Sequence, residues 1–358
     1  MRIAIDVRSL MDRPTGIGVY GAQCLERLLD AGHEVLAYSF GGRVPGPALS
    51  RLAPRLRKLV HHPVPMRVMR RLWRAGLGLE PESLFGSIDV VFATETTLPR
   101  TEAPTVSVLH DALFLRHPEW FPRYVRVAGP ENLRDVEARA TLLVHSSETA
   151  RDVIASEIPG VRPRAVVVPP AVYVEPFWRP GGSDILFVGT REPRKGLGVV
   201  ARALLRLPIA SRLVVVGKPG WGSLPGGDAL SLLEEQGRLA IEGFVSPTRL
   251  RRLRETCAVA VVPSLDEGFG LPLLEALASG IPTVASDVPV FREVAGDACA
   301  FAAPGAPDDW AAVLEPLLSA PARLKALAAD GIERGASFTV ERQAAALDAA
   351  LRRARLGS

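Results

Sequence analysis

Ala258-Val-Ala-Val-Val-Pro-Ser-Leu-Asp-Glu-Gly-Phe-Gly-Leu-Pro-Leu-Leu-Glu-Ala276 is the stretch from which the rest of the chain can be read. Ala258 to Pro263 is a short apolar, β-branched run, the pattern of a strand buried on both faces. Leu271 to Ala278 is rich in helix formers, and Gly280-Ile-Pro282 punctuates its end. Gly268-Phe-Gly270 lies between strand and helix, with a carboxylate on either side, Glu267 and Glu275. Such a turn at the C-terminal end of a parallel strand presents backbone N–H groups and the positive end of a helix dipole, which suits a diphosphate. A carboxylate accepts two hydrogen bonds from a vicinal diol, and ribose and hexose both carry such diols. Glu267 in the loop and Glu275 a turn into the helix address different parts of one ligand. The stretch reads as a sugar-nucleotide site.

Working outward, βα units recur on both sides. The first series runs through Arg2–Val7, Glu34–Phe40, Ile88–Ala93, Pro104–Leu109, Thr141–His145 and Ala165–Pro170. The second starts at Asp184–Thr190 and continues through Leu213–Val216, Leu239–Glu242, Ala258–Val262, Thr283–Ser286 and Cys299–Ala302. At 358 residues the chain is long for one core. The expected fold class is α/β with two Rossmann-like doubly wound domains facing across a cleft. Residues 1–170 are the acceptor-side domain, 171–182 a Pro- and Gly-rich linker, and 183–340 the nucleotide-sugar domain. Residues 341–358 are a helix expected to cross back to the first domain.

Several strand ends carry further candidates. Arg194-Lys195 follows the strand that ends in Gly189-Thr190, where two cations suit a diphosphate, Arg as a fork and Lys as a point charge. Lys218 in Val-Gly-Lys-Pro-Gly-Trp221 is a similar, weaker case. Phe244-Val245 after another strand suits a base, through backbone groups and a ring contact. Arg13-Pro-Thr-Gly-Ile-Gly-Val-Tyr20 follows the first strand, and Gly16 and Gly18 serve either phosphates or close strand–helix packing. His110-Asp111 ends the strand Pro104–Leu109. There His110 hydrogen-bonds a sugar hydroxyl or moves a proton, and Asp111 orients it or caps the next turn. Phe114 to Pro122, rich in aromatics, reads as a lid or acceptor surface.

Composition excludes other classes. No apolar run reaches the length of a membrane span, and Met1-Arg2 leads into a strand rather than a secretion signal. Cys24, Cys257 and Cys299 are odd in number and outside any metal spacing, so they read as buried thiols of a cytoplasmic protein. Gly357-Ser358 reads as a cloning scar. Net charge is +4, yet Arg43 to Arg74 holds nine basic residues and no Asp or Glu, interleaved with apolar ones. This segment, Arg70 and Arg71 included, is either an ordinary solvated helix-loop-helix face or a surface for anionic lipid, at about 1 kcal/mol per basic residue. No nucleic-acid motif accompanies it.

Taken together, these motifs resemble the GT-B glycosyltransferases of family GT4. The resemblance rests on Thr15-Gly-Ile-Gly18, His110-Asp111, Phe187-Val-Gly-Thr-Arg-Glu-Pro-Arg-Lys-Gly196, Val216-Gly-Lys-Pro-Gly-Trp221, Glu267 to Glu275 and Phe291-Arg-Glu-Val-Ala-Gly-Asp297. It implies a retaining hexosyltransferase using a nucleotide sugar. Glu275 would bind the ribose, Glu267 the transferred sugar, and the Phe269, Gly270 and Leu271 amides sugar and phosphate. Arg194 and Lys195 would bind the diphosphate, and Gly16 and Gly18 would close over it. Some relatives carry an Arg where this chain has Thr190. GDP-mannose is the expected donor, with a UDP-hexose donor or a sugar-nucleotide epimerase as alternatives. No cofactor and no metal are expected. The acceptor would be a glycan or a lipid-linked sugar in bacterial polysaccharide or glycolipid synthesis. The expected location is cytoplasmic, with a peripheral station on the inner face of the plasma membrane.

Overall fold

The computed structural model describes all residues except Arg13, Pro14, Val174, Ile209, Ala210, Ser223 to Pro225 and Ser358. The start of the first glycine stretch, one linker position and the terminal serine of the scar reading therefore lie outside the described residues. The chain divides into two compact units, 1–112 with 127–171 and 340–358, and 113–126 with 172–339. The segment 113–126, which the sequence reading left within 1–170, thus packs with the second unit.

Unit 1 holds a seven-stranded parallel sheet of β1 (Arg2–Asp6), β2 (Glu34–Phe40), β3 (Lys58–His62), β4 (Val90–Ala93), β5 (Thr105–Val108), β6 (Leu142–His145) and β7 (Ala165–Val167), in the order β3-β2-β1-β4-β5-β6-β7. Its central strands are buried on both faces because helices cover them, which is why they read as continuous apolar runs. The helix Val340–Leu356 belongs to this unit, with Leu347, Leu351 and Ala354 in the same core as Ile3, Leu25 and Phe92. Gln343 donates to Gln23 at 3.1 Å, and Gln23 donates to the carbonyl of Ala171 at 2.8 Å.

The basic segment departs from the helix-loop-helix expectation. Lys58–His62 is a polar edge strand, parallel to β2. Such a strand has one side pairing and one side in water, so it lacks the apolar signature of its neighbours. Among the described residues, five of the nine cations form ion pairs: Arg43–Asp12, Arg51–Glu26, Arg55–Asp30, Arg57–Glu34 and Arg74–Glu131. Arg70 donates to Asn132 at 3.1 Å, so it is engaged within the unit, while Arg71 is exposed. On the helix Met66–Arg74 the apolar Met69 and Trp73 face inward. The cationic run in the sequence is largely answered by carboxylates from elsewhere in the fold.

Unit 2 holds a six-stranded parallel sheet of β8 (Ile185–Val188), β9 (Leu213–Val216), β10 (Leu239–Gly243), β11 (Val259–Val262), β12 (Thr283–Ser286) and β13 (Ala300–Ala302), in the order β10-β9-β8-β11-β12-β13. Phe187, Val200, Leu204, Val215, Trp310 and Leu314 form part of its core. Each unit is a Rossmann-like doubly wound sheet, the architecture of the GT-B class. Cys24, Cys257 and Cys299 are free and buried. Among the described residues no helix is long and apolar enough to cross a membrane.

Candidate active site

In unit 2 the chain runs outward from β8 to one edge of the sheet, then returns to β11 and runs to the other edge. Neighbouring loops diverge there, and the crevice beyond the C-terminal ends of β8 and β11 is where such sheets bind ligands. Gly189, Thr190 and the 3-10 turn Pro193–Lys195 follow β8, and Pro263 to Glu267 follow β11. The two loops touch through their backbones. Gly196 adopts φ +64°, and a Cβ there would lie 1.9 Å from the carbonyl oxygen of Pro263. Leu265 N donates to Arg194 O at 2.7 Å.

That contact seats both cations on one carboxylate. Arg194 Nη1 donates to Glu267 Oε2 at 2.7 Å, Lys195 Nζ donates to Oε1, and Ser264 Oγ donates to Oε1 at 2.9 Å. Arg194 Nη2 lies 2.9 Å from Oε1 of the buried Glu192. Burial by itself pushes the Glu267 pKa up, but Arg194 and Lys195 outweigh it and hold it at about 2. Burial lowers the pKa of Lys195 against the pull of Glu267. Glu267 is therefore an ionised, acceptor-only carboxylate at neutral pH and cannot serve as a general acid. The sequence reading missed Glu192 and Ser264, although both lie inside the stretches it had singled out.

The helix Leu271–Ala278 starts at Gly270, whose φ of +94° would be strained for any other residue. A Cβ at Gly270 would meet the Phe291 ring at 2.5 Å. Pro272 has no N–H, and Leu273 N bonds back to Gly270 O, so Leu271 is a first-turn donor the helix itself does not use. Gly268 and Phe269 are buried, and the Phe269 ring stands edge-on to Phe338. Glu275 accepts from Arg254 Nη2 of the helix Pro247–Thr256 and keeps its side chain about one third exposed. Arg254 is a third residue that sequence reasoning missed, since an arginine on a basic helix carries no local signal.

Other candidates surround this pair of loops. Lys218 is exposed, and its carbonyl accepts from Arg191 N at 3.1 Å. At the end of β10 Phe244 is half exposed, while Val245 packs with Val216 and Leu253. Of the aromatic segment 113–126, Trp120 offers its carbonyl to Trp221 Nε1 at 2.7 Å, and Arg116 Nη1 lies 3.4 Å from Asp266 Oδ2. The segment thus lies against the loop that carries Glu267.

Unit 1 has its own point of divergence, between β1 and β4. Asp6 ends β1, and Arg8 forks onto it with Nε 2.8 Å and Nη2 2.5 Å from Oδ2. Glu95 follows β4, 3.8 Å from Arg8 Nη2. Thr94 Oγ1 donates to Asp6 O at 3.0 Å and lies 2.9 Å from Ser9 Oγ. His110 Nε2 lies 3.2 Å from Thr94 O. A carbonyl only accepts, so Nε2 carries the proton and Nδ1 keeps the lone pair. Burial lowers the His110 pKa, so the ring is a neutral acceptor at Nδ1 rather than a charged donor. Its neighbour Asp111 is half buried. The sequence reading missed Arg8 and Glu95, which lie 87 positions apart.

Gly16 and Gly18 are not loop residues. Both belong to the first turn of the helix Gly16–Asp30, capped by Thr15, whose Oγ1 accepts from Gly18 N at 3.3 Å. A Cβ on Gly18 would lie 2.3 Å from Ser9 O. Glycine at 18 is thus explained by close packing on the turn after β1, the second of the two readings the sequence left open. His110, Thr94 and Glu95 are brought together in unit 1, and Glu267, Arg194 and Lys195 in unit 2.

Residues 175–334, just under half of the chain, match the family model of the glycosyl transferases group 1. Curated relatives of the chain include the O-antigen chain mannosyltransferase B of Escherichia coli, 38% identical over 127 residues, covering 33% of this chain and 32% of that protein. A D-inositol 3-phosphate glycosyltransferase of Mycobacterium avium is 33% identical over 252 residues, 64% of this chain and 58% of that protein. The chain thus spans from about a third to under two thirds of the length of these relatives. Among solved structures, HepE of Anabaena in complex with UDP and glucose aligns with a TM-score of 0.75 at 16% identity, over 98% of this chain and 99% of that one. Sucrose-phosphate synthase from Thermosynechococcus elongatus aligns with a TM-score of 0.75 at 17% identity, over the whole of both chains. At these identities the structural likeness establishes the fold of the two sheets.

Proposed function

We propose that the protein is a retaining glycosyltransferase that moves a hexose from a nucleotide sugar, with mannose from GDP-mannose as the leading donor, to a glycan or lipid-linked acceptor. The observation that carries this reading is the pair Arg194 and Lys195, seated on Glu267 beside the start of the helix Leu271–Ala278. The hard step in such a transfer is departure of a nucleoside diphosphate from an oxocarbenium-like sugar. Fixed cations and amides that meet the charge growing on the β-phosphate lower that barrier. Lys195 has three donors and Arg194 five, so each can hold Glu267 and still reach a phosphate oxygen. The ionised Glu267 meets the developing positive charge or a hydroxyl of the transferred sugar. Same-face attack, with the leaving phosphate taking the acceptor proton, needs no further base.

Mannose as the sugar is supported by the Escherichia coli mannosyltransferase relative, and a nucleotide-sugar donor by the UDP and glucose bound in the Anabaena structure. Exposed Arg67, Val68, Arg71 and Leu77 support a peripheral contact with anionic lipid, weaker than nine unengaged cations would give.

Calorimetric titration with GDP-mannose, GDP, UDP-glucose and UDP, without and then with Mg²⁺, tests the donor half. Saturable binding of one base series without metal is expected, with the GDP series the tighter. Tighter UDP binding would move the donor to a UDP-hexose, and failure of every nucleotide to bind would sink the reading. Release of nucleoside diphosphate without any acceptor, together with an isomerised sugar, would favour the epimerase. Glu275→Ala should raise the donor KM about tenfold or more by removing a charged hydrogen-bond partner of the ribose. A donor KM equal to that of the unaltered protein would refute the ribose assignment.

A further inference from the structure

The C-terminal edge of the unit 1 sheet contains a polar site that the donor chemistry does not use, and its charge balance restricts what it can hold. Asp6 and Arg8 follow β1 and Glu95 follows β4, at the point where the strand order diverges. Among the described residues Arg8 is the cation closest to these carboxylates, yet its fork is spent on Asp6 and its Nη2 also faces Glu95. After β2, Arg43 pairs with Asp12 at the surface and also acts on Glu95, and after β6 Arg151 pairs with Glu148 and Asp152. Among the described residues, Arg8 and Arg43 therefore stand against Asp6, Asp12 and Glu95 at the crevice, two cations against three carboxylates, and Glu95 keeps about one third of its side-chain surface.

An anionic ligand group placed there would meet an uncompensated carboxylate and cations already neutralised, an unfavourable pairing in a partly desolvated crevice. A hydroxyl suits it, because a carboxylate accepts from up to two vicinal hydroxyls, and burial, which raises the Glu95 pKa against the pull of Arg8, penalises added negative charge there. Thr94 is pinned by Ser9, by the carbonyl of Asp6 and by His110, so Glu95 projects from a fixed piece of backbone. Fixed geometry of this kind is what selective hydroxyl recognition requires.

We infer that Glu95, buttressed by Arg8 and Asp6, recognises the acceptor, and that the acceptor ring held there is an uncharged polyol rather than a phosphorylated sugar. This rests on the glycosyltransferase reading above and deepens it. It also bears on the two kinds of relative, since one of them is named a D-inositol 3-phosphate glycosyltransferase.

Saturation-transfer NMR on the full chain tests the inference without turnover. The probes are two matched pairs, methyl α-mannoside against mannose 6-phosphate and myo-inositol against inositol 3-phosphate. The uncharged member of at least one pair should bind at least tenfold more tightly than its phosphorylated partner. Glu95→Gln should weaken that binding about tenfold, and Glu95→Arg should turn the preference toward the phosphorylated member. Both variants should keep the melting temperature and the nucleotide affinity of the parent. Preference for the phosphorylated member, binding unchanged in Glu95→Gln, or no binding of any uncharged probe overturns the inference. Loss of nucleotide binding by the parent protein is a separate result that strikes the glycosyltransferase reading alone.

Discussion

Glu267→Gln should cost unit 2 about 3 kcal/mol of stability at neutral pH. Glu267 has a folded pKa of about 2 against an ordinary value of 4.5, and about 1.4 kcal/mol per unit over that gap gives the estimate. The same figure follows from the other direction, because removing one partner of a buried ion pair leaves its cations uncompensated at a cost of about 3–5 kcal/mol. The sign is that of a depressed carboxylate. The stabilisation is present above pH 4.5 and is lost as the pH falls toward 2. Urea midpoints measured across that range should therefore fall more steeply with acid in the parent than in the variant. Four of the five tryptophans, Trp120, Trp178, Trp221 and Trp310, belong to unit 2, so fluorescence reports on the relevant transition. Pyrophosphate should raise the variant's melting temperature, since a polyanion can take the place of the missing carboxylate against Arg194 and Lys195. A variant as stable as the parent would mean that these cations do not depend on Glu267.

Gly196→Ala is the second large effect, with an expected cost of about 3 kcal/mol or more and loss of nucleotide binding. Part of the cost is the left-handed backbone, about 1–2 kcal/mol for a residue with a Cβ. The larger part is steric: the new Cβ would fall 1.9 Å from Pro263 O, and backbone on both sides leaves nothing flexible to yield. Relief requires the Pro193–Lys195 turn and the Pro263–Glu267 loop to separate, which pulls Arg194 and Lys195 away from Glu267. Gly237→Ala is the matched control, because φ is +67° there and a Cβ would meet nothing within 4 Å. It should cost only about 1 kcal/mol and leave nucleotide binding unchanged. Equal denaturation midpoints for the two variants would show that the close approach of the loops does not govern the site.

Much of the fold was legible because its signals are local. β11 and the helix Leu271–Ala278 came straight from an apolar β-branched run, a glycine turn and a run of helix formers. Ser147 caps the helix Glu148–Glu157 by accepting from Ala150 N at 3.0 Å, a signal of the same local kind. Within the site, Glu267, Arg194 and Lys195 stood out because each lies in the loop after a recognisable strand, and Glu275 because it lies a turn into the helix that follows one.

Other features needed the folded chain. Gly16 and Gly18 read as a loop because glycine disfavours helix, and the nearby Ser9 carbonyl explains the place of Gly18 in a first turn. Lys58–His62 has the composition of a surface loop and becomes a strand through pairing with β2.

By itself the sequence determined most of the strands and helices, that they form βα units in two series, and several of the side chains that end up at strand C-termini. Those facts follow from periodicity and turn chemistry within a few residues of chain. The tertiary structure alone decided the strand order, because buried parallel strands look alike in sequence whichever neighbour they take. That order sets β8 beside β11, and with it Arg194 and Lys195 against Glu267, more than 70 positions away. It also sets β1 beside β4, and with it Arg8 against Glu95. Charge pairing over such separations depends on where loops close in space, and no local pattern encodes it.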